Sequence, residues 1–296
     1  MPAKIDMTGK TCVVCGGTTG IGFATCKGLA ESGARVILTG TTQERADTAA
    51  KKLPGDCIGK FLDLTDFDSV RNFAQDLSTE LEQLDVLINN AGLILPKREV
   101  NKEGIEKTFA VIYLGPFLLT HLLAPLIKKG QPTRIINVAS DLHRRGKLEF
   151  DNLQSEKRYG FIAPYSNAEL AKILWTRELA KRYETSQATV NCLHPGGVRT
   201  KLFRHFRGPF GWLLWLSDLI KIPPKWGART SLYLATSPEV EKVTGEYYME
   251  VITTFRGVTP SKKAQDEALG QALWDKSLEL LDLKNQKENQ SQEESP

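Results

Sequence analysis

The sequence predicts an α/β fold: one domain built on a doubly wound parallel sheet of about seven strands, with helices on both faces. Three observations carry that prediction. Short apolar runs of four to six residues alternate with longer stretches of helical spacing, the pattern of parallel strands joined by crossover helices. The first apolar run ends in a glycine-rich turn, Cys15-Gly16-Gly17-Thr18-Thr19-Gly20-Ile21-Gly22, that opens straight into a helical stretch. No internal repeat and no inter-domain linker interrupts the 296 residues. Crossovers between parallel strands are right-handed, so helices must cover both faces.

Thr11–Cys15, Arg35–Thr39, Cys57–Leu62, Val86–Asn89, Arg134–Ala139 and Thr189–Leu193 read as buried strands, with a last strand near Glu246–Met249. Between them Ile21–Glu31, Phe67–Leu81, Gly104–Leu126 and Tyr165–Tyr183 carry helical spacing. Lys262–Leu283 places Ala268, Leu269, Leu273, Trp274, Leu278 and Leu281 on a helix expected to pack back onto the domain. The domain therefore spans 1–283. Residues 284–296 are rich in Gln, Glu, Asn and Ser, with almost nothing apolar, and read as a disordered tail.

An apolar fraction of 41% and a charged fraction of 25% are ordinary for a soluble globular protein. A net charge of +4 does not by itself argue for nucleic acid, which needs Lys and Arg clustered on one face, and no nucleic-acid partner is expected. The N-terminal residues lack the apolar core of a signal peptide, and no 18-residue apolar run exists. A cytoplasmic protein without a transmembrane segment is expected. Of the five cysteines, Cys12 and Cys15 form a C-x-x-C inside an apolar strand. They read as small buried hydrophobes, and no metal site is expected.

The glycine turn has a direct physical use. Gly16 permits the tight turn, Gly20 lets the backbone approach a pyrophosphate, and Gly22 lets the helix pack closely on the sheet. Free N–H groups at the helix start then favour an anion. This G-x-x-x-G-x-G loop, with Thr18 and Ile21 in it, resembles that of the short-chain dehydrogenase/reductase family. Four more motifs follow in the family's order: Asp63-Leu64, Asn89-Asn90-Ala91-Gly92, Asn137-Val138-Ala139-Ser140, and His194-Pro195-Gly196-Gly197-Val198-Arg199-Thr200. The resemblance covers about residues 8–255 and implies a single-domain Rossmann fold. Leu114-Gly115-Pro116-Phe117-Leu118-Leu119-Thr120 and the long loop from Ser140 to Tyr165 look most like the retinol-dehydrogenase-like branch. Members of that branch often carry an N-terminal membrane anchor, which is not expected here.

By that resemblance Asp63 and Leu64 lie at the adenine, Asn90, Ala91 and Gly92 beside the dinucleotide, and Pro195, Gly196, Val198 and Thr200 on the nicotinamide side. The end of the second strand, Leu38-Thr39-Gly40-Thr41-Thr42, has no carboxylate for ribose hydroxyls. Thr41, Thr42 and Arg45 instead suit a phosphate, favouring NADP over NAD. The competing reading is that the threonines only cap the next helix.

The family pattern for catalysis is a Ser, a Tyr with a Lys four residues on, and an Asn from a neighbouring helix. Ser140 and Tyr165 match. Glu169 stands in place of the Lys, and Ile112 in place of the Asn. A lysine there would stabilise tyrosinate. A carboxylate one turn from the phenol does the opposite. Alcohol oxidation, which needs tyrosinate as base, should suffer more than carbonyl reduction, which needs the neutral phenol as acid. Lys172 is expected to pair with Glu169 at i+3, and His143 to be a minor catalytic candidate within reach of a pocket.

A segment at about 202–224 has the position of the family's substrate lid. Phe203, Phe206, Phe210, Trp212 and Trp215 make it aromatic. That suits a bulky apolar small molecule, packing of the lid itself, or a dimer contact. The reading is an NADP-dependent oxidoreductase biased toward carbonyl or imine reduction. The alternative is a non-redox enzyme on the same scaffold: a cyclase, isomerase or dehydratase of secondary metabolism, with Glu169 as base. A homodimer or tetramer is expected by analogy, through Gly104–Leu126 and Tyr165–Tyr183.

Overall fold

A computed structural model of the chain describes residues 5–127, 132–199, 201–206, 208, 222–251 and 254–283. Strands β1 (Thr11–Cys15), β2 (Arg35–Gly40), β3 (Cys57–Phe61), β4 (Val86–Asn89), β5 (Thr133–Val138), β6 (Ala188–His194), β7 (Tyr247–Val251) and β8 (Thr254–Gly257) form one sheet. Its order is β3-β2-β1-β4-β5-β6-β7-β8. All neighbours are parallel except β7 and β8. The strand order reverses between β1 and β4, so the C-terminal ends of those strands border the crevice where such sheets bind ligands.

The sheet has eight strands rather than about seven. The additional one, Thr254–Gly257, is an antiparallel edge strand whose residues are exposed or half-buried. It carries a single apolar side chain, Phe255, and so lacks the signature of a buried strand.

Helices α1 (Gly20–Glu31), α2 (Gln43–Ala50) and α8 (Pro224–Thr236) pack on one face of the sheet. Helices α3 (Phe67–Glu80), α5 (Gly115–Leu122), α7 (Ile162–Ala180) and α9 (Glu267–Leu280) pack on the other. Strand alternation divides the core. Val13 and Cys15 join the cluster around α3, α5 and α7, while Cys12 and Val14 join the one around α1 and α2. Cys12 and Cys15 thus point to opposite faces, and both are free. The C-x-x-C is a packing feature, as its place in a strand implied.

The expected helix Gly104–Leu126 is broken into α4 (Lys107–Phe109), a π-helical turn (Ala110–Leu114), α5, and α6 (Ala124–Ile127). Pro116 has no N–H to return to the Ile112 carbonyl. The ladder widens just before it, with Gly115 N–H donating to the Ala110 carbonyl. Ile112 sits in this turn, fully buried.

Helix α7 is buried nearly all round, fourteen of its nineteen residues having little or no exposure. Helix α9 seals it. Trp274 packs on Phe117 with centroids 4.9 Å apart and lies 3.9 Å under the Arg182 guanidinium. The Tyr113 and Ser277 hydroxyls hydrogen-bond at 2.7 Å. Helix α9 thus packs along α7 and reaches α5 through Trp274 on Phe117. Among the described residues, no helix is long and apolar enough to cross a membrane. The tail at 284–296 and most of the lid, with Phe210, Trp212 and Trp215, lie outside the described residues.

Candidate active site

The turn after β1 is built for close backbone approach. Gly16 holds φ +77°, a left-handed conformation that favours glycine. Its N–H donates to Thr39 Oγ1 at 3.1 Å, and Asn90 Nδ2 donates to its carbonyl at 3.0 Å. Thr19, at the N-cap of α1, makes no side-chain cap, and the first turn holds no acid. The helix start thus presents N–H donors and no competing carboxylate to the crevice. These residues fit a pyrophosphate.

One cavity of about 1870 Å³ runs across the C-terminal ends of the strands. Gly16, Thr18, Gly20 and Ile21 line it at the turn after β1, and Thr41, Asp63 and Leu64 line it beyond β2 and β3. Asn90, Ala91 and Gly92 line its floor, with Pro195, Gly196 and Val198 opposite. Ser140, Tyr165 and Glu169 line the same space. Gly22 lies behind the turn, not in the wall. A Cβ there would fall 2.2 Å from the Gly16 carbonyl oxygen. Thr200 is outside the described residues.

Beyond β3, Asp63 is partly committed. Its Oδ1 accepts from the Thr65 N–H at 2.9 Å and hydroxyl at 2.7 Å. Thr42 does cap α2, accepting from the Arg45 N–H at 3.2 Å. Thr41 accepts from Arg45 Nη1 at 3.3 Å. Thr42 thus caps α2, and Thr41 meets the Arg45 guanidinium. Arg204, just after the turn Lys201–Phe203, lines the same cavity and lies close enough to Arg45 to sense its charge. Nothing in the sequence pattern had pointed to Arg204.

Helix α7 sets Tyr165 and Glu169 one turn apart, facing the end of β5. The Tyr165 phenol lies beside the Ser140 hydroxyl and the Glu169 carboxyl, close enough to sense both. Burial first, and the neighbouring Glu169 carboxyl second, push the phenol well above its ordinary pKa, since an ionised Glu169 would repel tyrosinate. Glu169 is itself raised by burial, against the opposing pull of Lys172 and of the Tyr165 and Ser140 hydrogen bonds. Its Oε2 is buried without a hydrogen-bond partner. Ser140 caps the 3-10 turn Asp141–Arg145, accepting from the Leu142 N–H at 3.2 Å.

Two side chains behave otherwise than expected. Lys172 makes no ion pair with Glu169. Its buried Nζ donates to the Val138 carbonyl at 2.8 Å, and desolvation lowers its pKa. The spacing i+3 brings the two Cβ atoms near, but Lys172 extends to the backbone of β5 instead. His143 does not line the cavity. It is fully buried, with Nδ1 2.9 Å from the Ser140 carbonyl and Nε2 accepting from the Ser261 N–H at 3.1 Å. These partners fix the Nδ1–H tautomer and make His143 a clamp between the Ser140 turn and the C-terminal segment.

Burial lowers the pKa of His143, so the unfolded chain binds its proton more readily than the native one does. The His143 contribution is therefore intact above pH about 6.5 and lost as pH falls below it. Urea midpoints should drop between neutral pH and about pH 5, and the drop should shrink in His143→Asn. His194, buried and lowered in the same way, should account for part of what remains.

A family model described as short chain dehydrogenase matches residues 10–208. Human retinol dehydrogenase 14 is 40% identical over 301 residues, covering 94% of this chain and 88% of that protein. Among solved structures, an uncharacterised protein of Mycobacterium paratuberculosis superposes with a TM-score of 0.78 at 29% identity, covering 94% of this chain and 95% of that one. The Pseudomonas aeruginosa RhlG/NADP active-site complex does so with a TM-score of 0.66 at 27% identity, covering 83% and 96%.

Proposed function

The chain belongs to the short-chain dehydrogenase family, an oxidoreductase family, and from that premise we propose an NADP-dependent enzyme biased toward reducing the carbonyl or imine of a bulky apolar small molecule. The observation that carries the reading is the Tyr165 phenol, buried against Ser140 and Glu169 and held protonated. A phenol that keeps its proton is a competent general acid and a poor base. When bound, reduced NADP supplies the hydride. Ser140 and Tyr165 hold the carbonyl oxygen by hydrogen bonds, and Tyr165 protonates it. Leu202 and Phe203 give the cavity an apolar wall, and the relative named for retinol supports a long apolar ligand.

Incubation with retinal and deuteride-labelled NADPH tests this. Deuterium should appear on the carbinol carbon of the product, and the reverse oxidation near neutral pH should be at least about 100-fold slower. Product formed without label and without NADPH consumption would replace this reading with the non-redox one.

For the cofactor, Arg45 and Arg204 are the cations placed to meet a ribose 2′-phosphate. Arg45→Ala and Arg204→Ala should each weaken NADPH binding about tenfold, the worth of one charge-assisted hydrogen bond. NADH binding should change less than about twofold in the same nicotinamide-fluorescence titration. A chain that binds NADH more tightly than NADPH before any substitution would reverse the cofactor assignment.

A further inference from the structure

Tyr165 must be reprotonated after each reduction, and the route by which a lysine and an asparagine would manage its proton is absent from this chain. Position 169 is a carboxyl, and Ile112 is an alkyl side chain with no polar contact to offer. What lies against the phenol instead is Glu169, in the cavity wall, buried, with one oxygen unpartnered.

We propose that Glu169 is a carboxylic acid in the resting enzyme and the donor that reloads Tyr165. The inference rests on the reductive reading above. The carbonyl carbon gains the hydride from the reduced dinucleotide, and the carbonyl oxygen gains the Tyr165 proton as the phenol O–H bond breaks. The Glu169 carboxyl O–H bond then breaks and the phenol O–H re-forms, leaving a carboxylate. That carboxylate takes a proton from solvent through the cavity once product leaves. No oxidant or reductant beyond the dinucleotide is consumed.

The geometry favours this direction of transfer. A carboxylic acid is a far stronger acid than a phenol, so handing its proton to tyrosinate is downhill. The groups facing Glu169 come from several elements. Tyr165 and Lys172 share its helix, and Ser140 follows β5, with its backbone N–H toward the carboxyl. Tyr247 on β7 also faces it and in turn senses Cys192, Asp141 and Arg144, while Cys192 on β6 lies toward Lys172. Lys172 is the sole cation facing the carboxyl among these, and its ammonium is spent on the Val138 carbonyl at 2.8 Å rather than on an ion pair. The Tyr247 hydroxyl is buried without a partner, so it does not hold the carboxylate form either. A buried carboxyl without a paired cation is most stable neutral.

Glu169→Gln keeps the shape and a hydrogen bond but has no acidic proton. Two measurements on the full chain decide. Difference infrared spectra, wild type minus Glu169→Gln at neutral pH, should show a protonated-carboxyl band, and its absence overturns the proposal whatever the turnover. In steady-state reduction of retinal, wild-type kcat should fall as pH rises through the titration of that band. Glu169→Gln should have a kcat about 100-fold lower, lack that limb, and keep NADPH affinity within about twofold. A limb unchanged in Glu169→Gln overturns the proposal. Failure of wild type to transfer deuteride would sink the reductive reading separately, because the infrared measurement needs no turnover.

Discussion

Replacing Glu169 with lysine is expected to raise NADP-dependent alcohol oxidation near neutral pH by about two to three orders of magnitude. A unit charge at about 4 Å through an effective dielectric of about 20 is worth about 4 kcal/mol, or about three pKa units. An ammonium beside Tyr165, where the phenol now meets a carboxyl, should lower its pKa by that amount. An ultraviolet titration of the phenols reads the shift directly, and alcohol oxidation reads its consequence. Lys172 would then lie a turn from a second ammonium in the same buried space, and the repulsion would blunt the gain. Glu169→Lys combined with Lys172→Gln, which preserves a donor for the Val138 carbonyl, should show the larger rise. Carbonyl reduction should gain much less, because it uses the phenol in the form it already holds. If the phenol ionises no lower in either variant, the electrostatic account of this site is wrong.

The site was legible to the extent that it is written in local order. The glycine turn and the motif after each strand converge on one cavity because they sit at the C-terminal ends of parallel strands, and α7 sets Tyr165 and Glu169 one turn apart against them. Side-chain direction was not legible. Lys172 and Glu169 are neighbours by spacing, yet the lysine's buried alternatives include a strand carbonyl that spacing cannot see. His143 follows Ser140 by three residues and so looked close to a pocket, but its ring is claimed by Ser261, 118 residues further on. Arg204 lines the same cavity as Arg45 from a distant segment, a proximity no local pattern encodes.

The fold shows the same division. Strands buried on both faces announced themselves, and β1 and β4 begin and end where the apolar runs do. Strand β8 did not, because an exposed edge has no apolar run to read. The π-helical turn keeps the apolar spacing of a helix and hides the change of ladder. Its sequence signal was Pro116, five residues after Val111, which denies a donor to the carbonyl of Ile112.

Gly22→Ala tests the cradle more severely than any ligand contact does. A methyl at residue 22 would stand 2.2 Å from the Gly16 carbonyl oxygen and 2.5 Å from Asn90 Nδ2. Neither is the loose end of a flexible side chain. The first is backbone of the turn itself, and the second is the amide that donates to that same carbonyl. To admit the methyl, the turn must lift from α1 and break the Asn90 tether, which tilts the N–H groups that face the phosphates. NADPH affinity should fall at least about 100-fold, since several anion contacts of about 1.5–3 kcal/mol each are misplaced together. Stability should fall by about 1–3 kcal/mol, as for other overpacked sites. Gly160→Ala is the control: nothing lies within 4 Å of a Cβ at that position, and both quantities should hold. A Gly22→Ala protein that binds NADPH as well as wild type would mean that the turn after β1 does not hold the dinucleotide, and the assignment of this end of the cavity would fall with it.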